Sequence, residues 1–191
     1  PHQRESLYGD VAVLAMPVAV ALVAAPKASL ADGTAVDGTR LGGDDLSLGV
    51  DVPRGDALAP STLTYRYDKP QTIRTASFYL PGAKVMFRGP TVAPVIEASI
   101  DGKVWRKIAD VPVADVPTTV SFAAVTAQYF RLVLNPVPFA MVNMGTPADG
   151  IVAPPMFSGM GSDPAAPYRL HQFRLSAEAR IDQFETKAGF A

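Results

Sequence analysis

VIEASIDGKVWRKIA, residues Val95–Ala109, carries alternating apolar and polar positions on either side of an Asp101-Gly102 pair. Alternation with a period of two puts successive side chains on opposite faces of an extended backbone, the pattern of a half-buried strand. Asp-Gly between two such runs predicts a tight hairpin in a type I′ turn, whose two central residues both need positive φ. Strands are therefore expected over Val95–Ile100 and Val104–Ala109. Upstream, Ser61–Asp68 (STLTYRYD) sets Leu63, Tyr65 and Tyr67 on one face against Thr64 and Arg66 on the other. Lys69-Pro70 is expected to end that strand, because proline has no ladder donor. Thr72–Leu80, turned by Pro81-Gly82, and Lys84–Arg88, stopped by Gly89-Pro90, read as two more. Downstream come Thr118–Phe122, Ala127–Asn135 and Tyr168–Ser176, the last with imperfect alternation, then a short extended piece over Ala179–Phe184. Residues 28–60 read as successive Gly/Asp turns with at most one strand near Leu46–Val52. No segment reads as a helix of three turns. About eight short strands joined by Gly/Pro turns predict an all-β fold, an antiparallel two-sheet sandwich or jelly roll.

Composition narrows the function. The chain has 191 residues, 48% of them hydrophobic, which is enough for one core and excludes a disordered chain. Seventeen Lys and Arg against 18 Asp and Glu leave a formal charge of −1, with no field to gather phosphates, so nucleic acid is not an expected partner. Zero cysteines exclude disulfides, zinc-thiolate sites and cysteine nucleophiles. Val11–Ala25 (VAVLAMPVAVALVAA) is apolar, but it is shorter than the twenty or so residues a spanning helix needs, and Pro17 interrupts it. We read it as a buried strand, Val11–Pro17, running into a second apolar segment, and expect no membrane role. The opening Pro1-His2 and the end at Gly189-Phe190-Ala191 point to a piece of a longer protein. Residues 1–27 are expected to enter from that parent. Residues 28–191 would then form the sandwich, with a Pro/Met-rich loop over 135–167.

Ile96–Ile108 and Ala127–Val133 (AQYFRLV), with Tyr65–Ile73 before them, resemble the discoidin-like, galactose-binding-like sandwich over roughly residues 61–135. The flanks, Arg4–Ala15 and Arg174–Ile181 on to Lys187–Ala191, resemble bacterial α-L-rhamnosidases of glycoside hydrolase family 106. That resemblance implies a parent enzyme that removes L-rhamnose with inversion and the help of calcium, in a catalytic barrel lying mainly outside this sequence. It also implies a periplasmic or secreted location, with the parent's other domains and rhamnose-containing glycans as partners. Inverting hydrolysis needs two carboxylates roughly 6.5–9.5 Å apart. The four glutamates, Glu5, Glu97, Glu178 and Glu185, are scattered, and no such pair is assignable. The chain is expected to be a non-catalytic accessory domain, scaffold and carbohydrate-binding surface together, with an autonomous lectin-like module as the alternative.

Three residues are candidates for sugar contact. Trp105, the single tryptophan, could stack on the C–H face of a pyranose; the commoner fate of an aromatic side chain, packing between the sheets, weighs against it. Arg66 and Arg88 could hydrogen-bond hydroxyls, although such arginines more often sit on solvated strand faces. Asp37, Asp44 and Asp45 lie in the Gly-rich loop where discoidin-like sandwiches often hold calcium, which takes six to eight oxygens. Turn formation by these aspartates is the competing reading.

Overall fold

The computed structural model describes residues 23–55, 59–85, 89–138 and 166–189. In chain order its elements are β1 (Lys27–Leu30), β2 (Ala35–Val36), α1 (Thr39–Gly42), β3 (Val50–Val52), β4 (Ser61–Tyr79), β5 (Lys84–Val85) and β6 (Gly89–Pro90). They continue with β7 (Val92–Ser99), β8 (Arg106–Asp110), β9 (Thr118–Pro136), β10 (Tyr168–Leu170), β11 (Gln172–Ser176) and α2 (Phe184–Lys187). All strand pairing is antiparallel. The fold is the expected all-β sandwich. The expected strand Val11–Pro17 and most of the 135–167 loop lie outside the described residues.

Two 19-residue strands, β4 and β9, build the sandwich. They pair with each other along their length, β1 and β7 flank one end of the pair, and β11 flanks the other. Tyr65 and Phe78 are thirteen residues apart on β4, about 43 Å if the strand ran straight. Phe173 is the register partner of Phe78, yet its ring centroid lies 5.0 Å from that of Tyr65. The β4–β9 ribbon therefore folds back on itself, and its two halves become the two facing layers. One layer is β1, the first half of β4, the second half of β9, β7 and β8. The other is the remaining half of each long strand with β11.

The fold-back occurs where the ladder is interrupted, between the pairs Arg66↔Tyr129 and Gln71↔Ala127. Pro70 falls in that gap. Its missing N–H costs no ladder bond there, so β4 continues through the proline that was expected to end it. A second register shift lies between Ile73↔Val125 and Thr75↔Ser121, where β9 carries the extra residues. It joins what reads in the sequence as two separate strands.

Inward-facing Leu63, Tyr65, Tyr67, Ile73 and Phe78 of β4 meet Ile96, Phe130, Leu132, Leu134 and Phe173, all nearly solvent-free. Tyr67 stands edge-on to Phe130 at 6.0 Å. The imperfect alternation of Tyr168–Ser176 has a structural cause. β10 pairs with β3 and β11 with β4, so His171 is a joint between two ladders and gives its backbone N–H to Tyr79 O. Residues 28–60 hold more order than expected, with β1, β2 and α1 in addition to β3.

Ala179–Phe184 is not a strand. The segment lies along the unpaired edge of β9 and satisfies it with side chains. The backbone N–H of Thr119 donates to Glu185 Oε2 at 2.9 Å, and that of Ser121 donates to Asp182 Oδ1 at 2.9 Å. Gln183, held at φ 48°, returns its own N–H to Thr119 O at 2.8 Å. An open row of donors is thereby closed. Both helices are four residues long, and among the described residues none is long and apolar enough to cross a membrane.

Candidate functional site

β7 and β9 are in register with Glu97 opposite Arg131 and Ser99 opposite Tyr129, while Ile96, Ala98, Phe130 and Leu132 face the core. Strand parity then turns Glu97, Arg131 and Tyr129 to the outer face of this layer. Arg131 binds Glu97 through both Nε and Nη2, each 2.6 Å from Oε2. The two side chains are 29% and 21% exposed, so solvent weakens this pair only in part.

The loop between β7 and β8 brings Trp105 to the same face. Asp101 Oδ1 accepts from the backbone N–H of Lys103 at 2.8 Å and of Val104 at 3.0 Å, and from Ser99 Oγ at 3.0 Å. Ser99 Oγ in turn accepts from Gly102 N at 2.9 Å. Gly102 takes φ 74° and lies against the Tyr129 ring; a Cβ there would sit 3.2 Å from Tyr129 Cε1. Among the described residues Gln183 is the non-glycine with positive φ, so Asp101 lacks the geometry of a type I′ turn. The Asp-Gly hairpin is instead a six-residue connection, Ile100–Trp105, tied by the Asp101 carboxylate.

That connection sets Trp105 half-exposed under Arg131, whose guanidinium carbon is 4.2 Å from the ring centroid. Packing of Trp105 between the sheets, the commoner fate of an aromatic, does not occur. The side chain sits outside the core, in a cation–π contact that orients the indole. Arg131 takes one face of the ring, and the half-exposed remainder is what a ligand can reach. Arg66 is exposed on β4 directly opposite Tyr129, so the structure brings Arg66 and Trp105 to one outer face with Tyr129 between them. Arg88 lies outside the described residues. An aromatic plane beside a carboxylate and guanidinium groups can hold a sugar by its C–H face and exchange hydrogen bonds with its hydroxyls. The Glu97–Arg131 pairing and Tyr129 escaped the sequence reading. Carrying strand parity across from the Val95–Ile100 run was the signal that could have found them.

The Asp101 carboxyl is held down at about 2 by the N–H groups of Val104 and Lys103 and the Ser99 hydroxyl. Its folded pKa lies below the ordinary carboxylate value, so its contribution to loop order is complete above about pH 4 and is lost as pH falls toward 2. Trp105 fluorescence should therefore stay constant from pH 7 to about 4 and change below. D101A should show the loosened spectrum at pH 7 and lose that transition. An acid transition retained in D101A would assign it to another group.

The three aspartates expected to bind calcium each make contacts within the chain through Oδ1. Asp37 Oδ1 accepts from the Thr39 hydroxyl at 2.6 Å and the Thr39 N–H at 3.0 Å. Asp45 does the same for Ser47 at 2.6 and 3.0 Å. The hydroxyl contacts lead in holding both carboxyls below their usual range. Asp44 pairs with Arg174 at 3.1 Å. Among the described residues no three His, Cys, Asp or Glu side chains gather as a metal site. Turn capping, the ordinary work of Asp beside Gly, is what the structure shows.

No protein-family model matches the chain, and no curated protein matches it. Solved structures do. The rhamnosidase from Novosphingobium sp. PP1Y is similar at TM-score 0.68 and 32% identity, over 90% of this chain and 13% of that one. Chitosan-binding module 1 of a chitosanase/glucanase from Paenibacillus sp. IK-5 is similar at TM-score 0.50 and 14% identity, over 80% of this chain and 95% of the module. This chain has the β-sandwich fold of carbohydrate-binding modules. The likeness to the chitosan-binding module is one of fold alone. The rhamnosidase likeness extends to sequence, but over a small part of that enzyme.

Proposed function

We propose that this chain is a non-catalytic accessory domain of a glycoside hydrolase of the α-L-rhamnosidase kind, family 106-like, whose outer face around Trp105 binds carbohydrate. The observation that carries this reading is the 32% identity spread over 90% of this chain but only 13% of the Novosphingobium rhamnosidase. A part of that size fits a scaffold unit within a large enzyme. The carboxylates support it, since each glutamate among the described residues is already engaged. Glu97 holds Arg131, Glu178 holds Arg180, and Glu185 caps Thr119. The same reading places the parent in the periplasm or outside the cell, with its remaining domains as this domain's partners.

Titration of the 191-residue chain with L-rhamnose and rhamnosylated oligosaccharides, followed by amide and indole NMR shifts, tests the binding half. Saturable shifts of the Trp105 indole N–H and the Ser99–Arg106 amides are expected. Silence at millimolar sugar would strike out binding at this face and leave the scaffold. A second reading, an autonomous lectin-like module, draws on the chitosan-binding module that the fold matches over 95% of its length. It predicts equal binding when no other domain is attached.

A further inference from the structure

Arg131, Glu97 and Lys107 lie in one row across β9, β7 and β8. Lys107 stands in that row because β8 carries a β-bulge. The register steps between Ile96↔Ala109 and Glu97↔Lys107, and Ile108 is the extra residue. Bulges beside functional sites commonly re-aim a side chain. Two cations thus flank one carboxylate. Lys107, however, gives its ammonium to Asp110 at 2.6 Å. Glu97 is left to Arg131, its one side-chain partner among the described residues.

The geometry of that pair fixes an orientation. Nε and Nη2 of Arg131 both converge on Glu97 Oε2 at 2.6 Å. One contact would let the guanidinium turn, whereas two hold the planar group in place. Both residues sit in a continuous ladder that runs from Val92↔Pro136 to Ser99↔Tyr129. Trp105 has no such support. It ends the connection between β7 and β8, where Ile100 and Val104 are 78% and 77% exposed. Its stiffness must come from what touches the ring, and the Arg131 guanidinium carbon lies 4.2 Å from the ring centroid.

We infer that Glu97 is a positioning residue for the Trp105 platform and acts through Arg131. It carries the rigidity of the β7–β9 ladder to an indole that a loop presents, and so keeps one ring face open for a sugar. The inference rests on the carbohydrate-binding reading above and adds to it how the site is held ready before the ligand arrives. A platform already in place loses less freedom on binding, and affinity gains by that amount.

The test uses the 191-residue chain as wild type, Glu97→Ala, Glu97→Gln, Arg131→Met and the double variant Glu97→Ala/Arg131→Met. Without ligand, the wild-type Arg131 Nε–H should give an NMR signal that exchanges slowly with water and is displaced from the free-arginine position. In E97A that signal should return toward the free position, and Trp105 emission should become less polarised as the ring gains motion. Affinity for rhamnosylated oligosaccharides should fall about two- to tenfold in E97A, the effect of leaving one side chain to be ordered on binding. E97Q keeps an acceptor oxygen at the same reach and should lose less. In the Arg131→Met chain the further change Glu97→Ala should weaken binding no more, because its route to the indole is already cut. An Arg131 signal or an oligosaccharide affinity unchanged in E97A would overturn the inference. A further loss in the double variant would overturn it too, by putting Glu97 in direct contact with the sugar. No binding in any chain, with the Arg131 signal still dependent on Glu97, would remove the carbohydrate reading and leave the positioning of the indole standing.

Discussion

Phe173→Ala is expected to lower stability by about 3–5 kcal/mol, the usual range for deleting a fully buried phenyl ring. Phe173 is 0% exposed and belongs to the second layer through its pairing with Phe78. Its ring contacts Tyr65 of the first layer, and its backbone carbonyl accepts the Tyr65 hydroxyl at 2.8 Å. The truncation leaves a void between the layers, where the long β4–β9 ribbon has little freedom to collapse into it. For a chain of this length, each kcal/mol corresponds to roughly 2–4 °C, so the melting temperature should fall by roughly 6–20 °C. Phe173→Leu, which keeps most of the volume, should lose far less. Thermal denaturation followed by circular dichroism checks both. A Phe173→Ala chain melting within about 2 °C of wild type would show that the two layers do not depend on this contact.

Trp105→Ala carries the second large effect, on binding. The indole is half-exposed and held by Arg131 rather than by the core, so its removal takes away a platform without opening a cavity. Affinity of the outer face for rhamnosylated oligosaccharides should fall at least about tenfold, or ~1.4 kcal/mol. Stability should change by less than about 1 kcal/mol, as for other surface substitutions outside the core. Calorimetric titration beside a melting curve separates the two. Loss of stability without loss of binding would make Trp105 a structural residue. Trp105→Phe should recover part of the affinity, because a smaller aromatic face still stacks.

Much of the fold is legible in the sequence, because period-two alternation is a local property. Leu63, Tyr65 and Tyr67 turn inward and Arg66 outward as the pattern requires. The continuity of β4 through Pro70 was not legible. Whether a proline ends a strand depends on whether its partner strand needs a donor at that position, and the interruption of the β4–β9 ladder is a tertiary event. Asp101-Gly102 misled for a related reason. The Asp side chain ties the following backbone into a longer loop, and only Gly102 takes positive φ. That loop breaks the parity that would have carried Trp105 to a predictable face.

Because β4 and β9 each serve both layers, neither sheet owns a full set of strands. Opening one layer withdraws half the backbone partners of the other, so the sandwich should unfold cooperatively, as one unit. A unit of this kind bears load as a single stiff block. Its two ends keep their spacing until the whole block gives way.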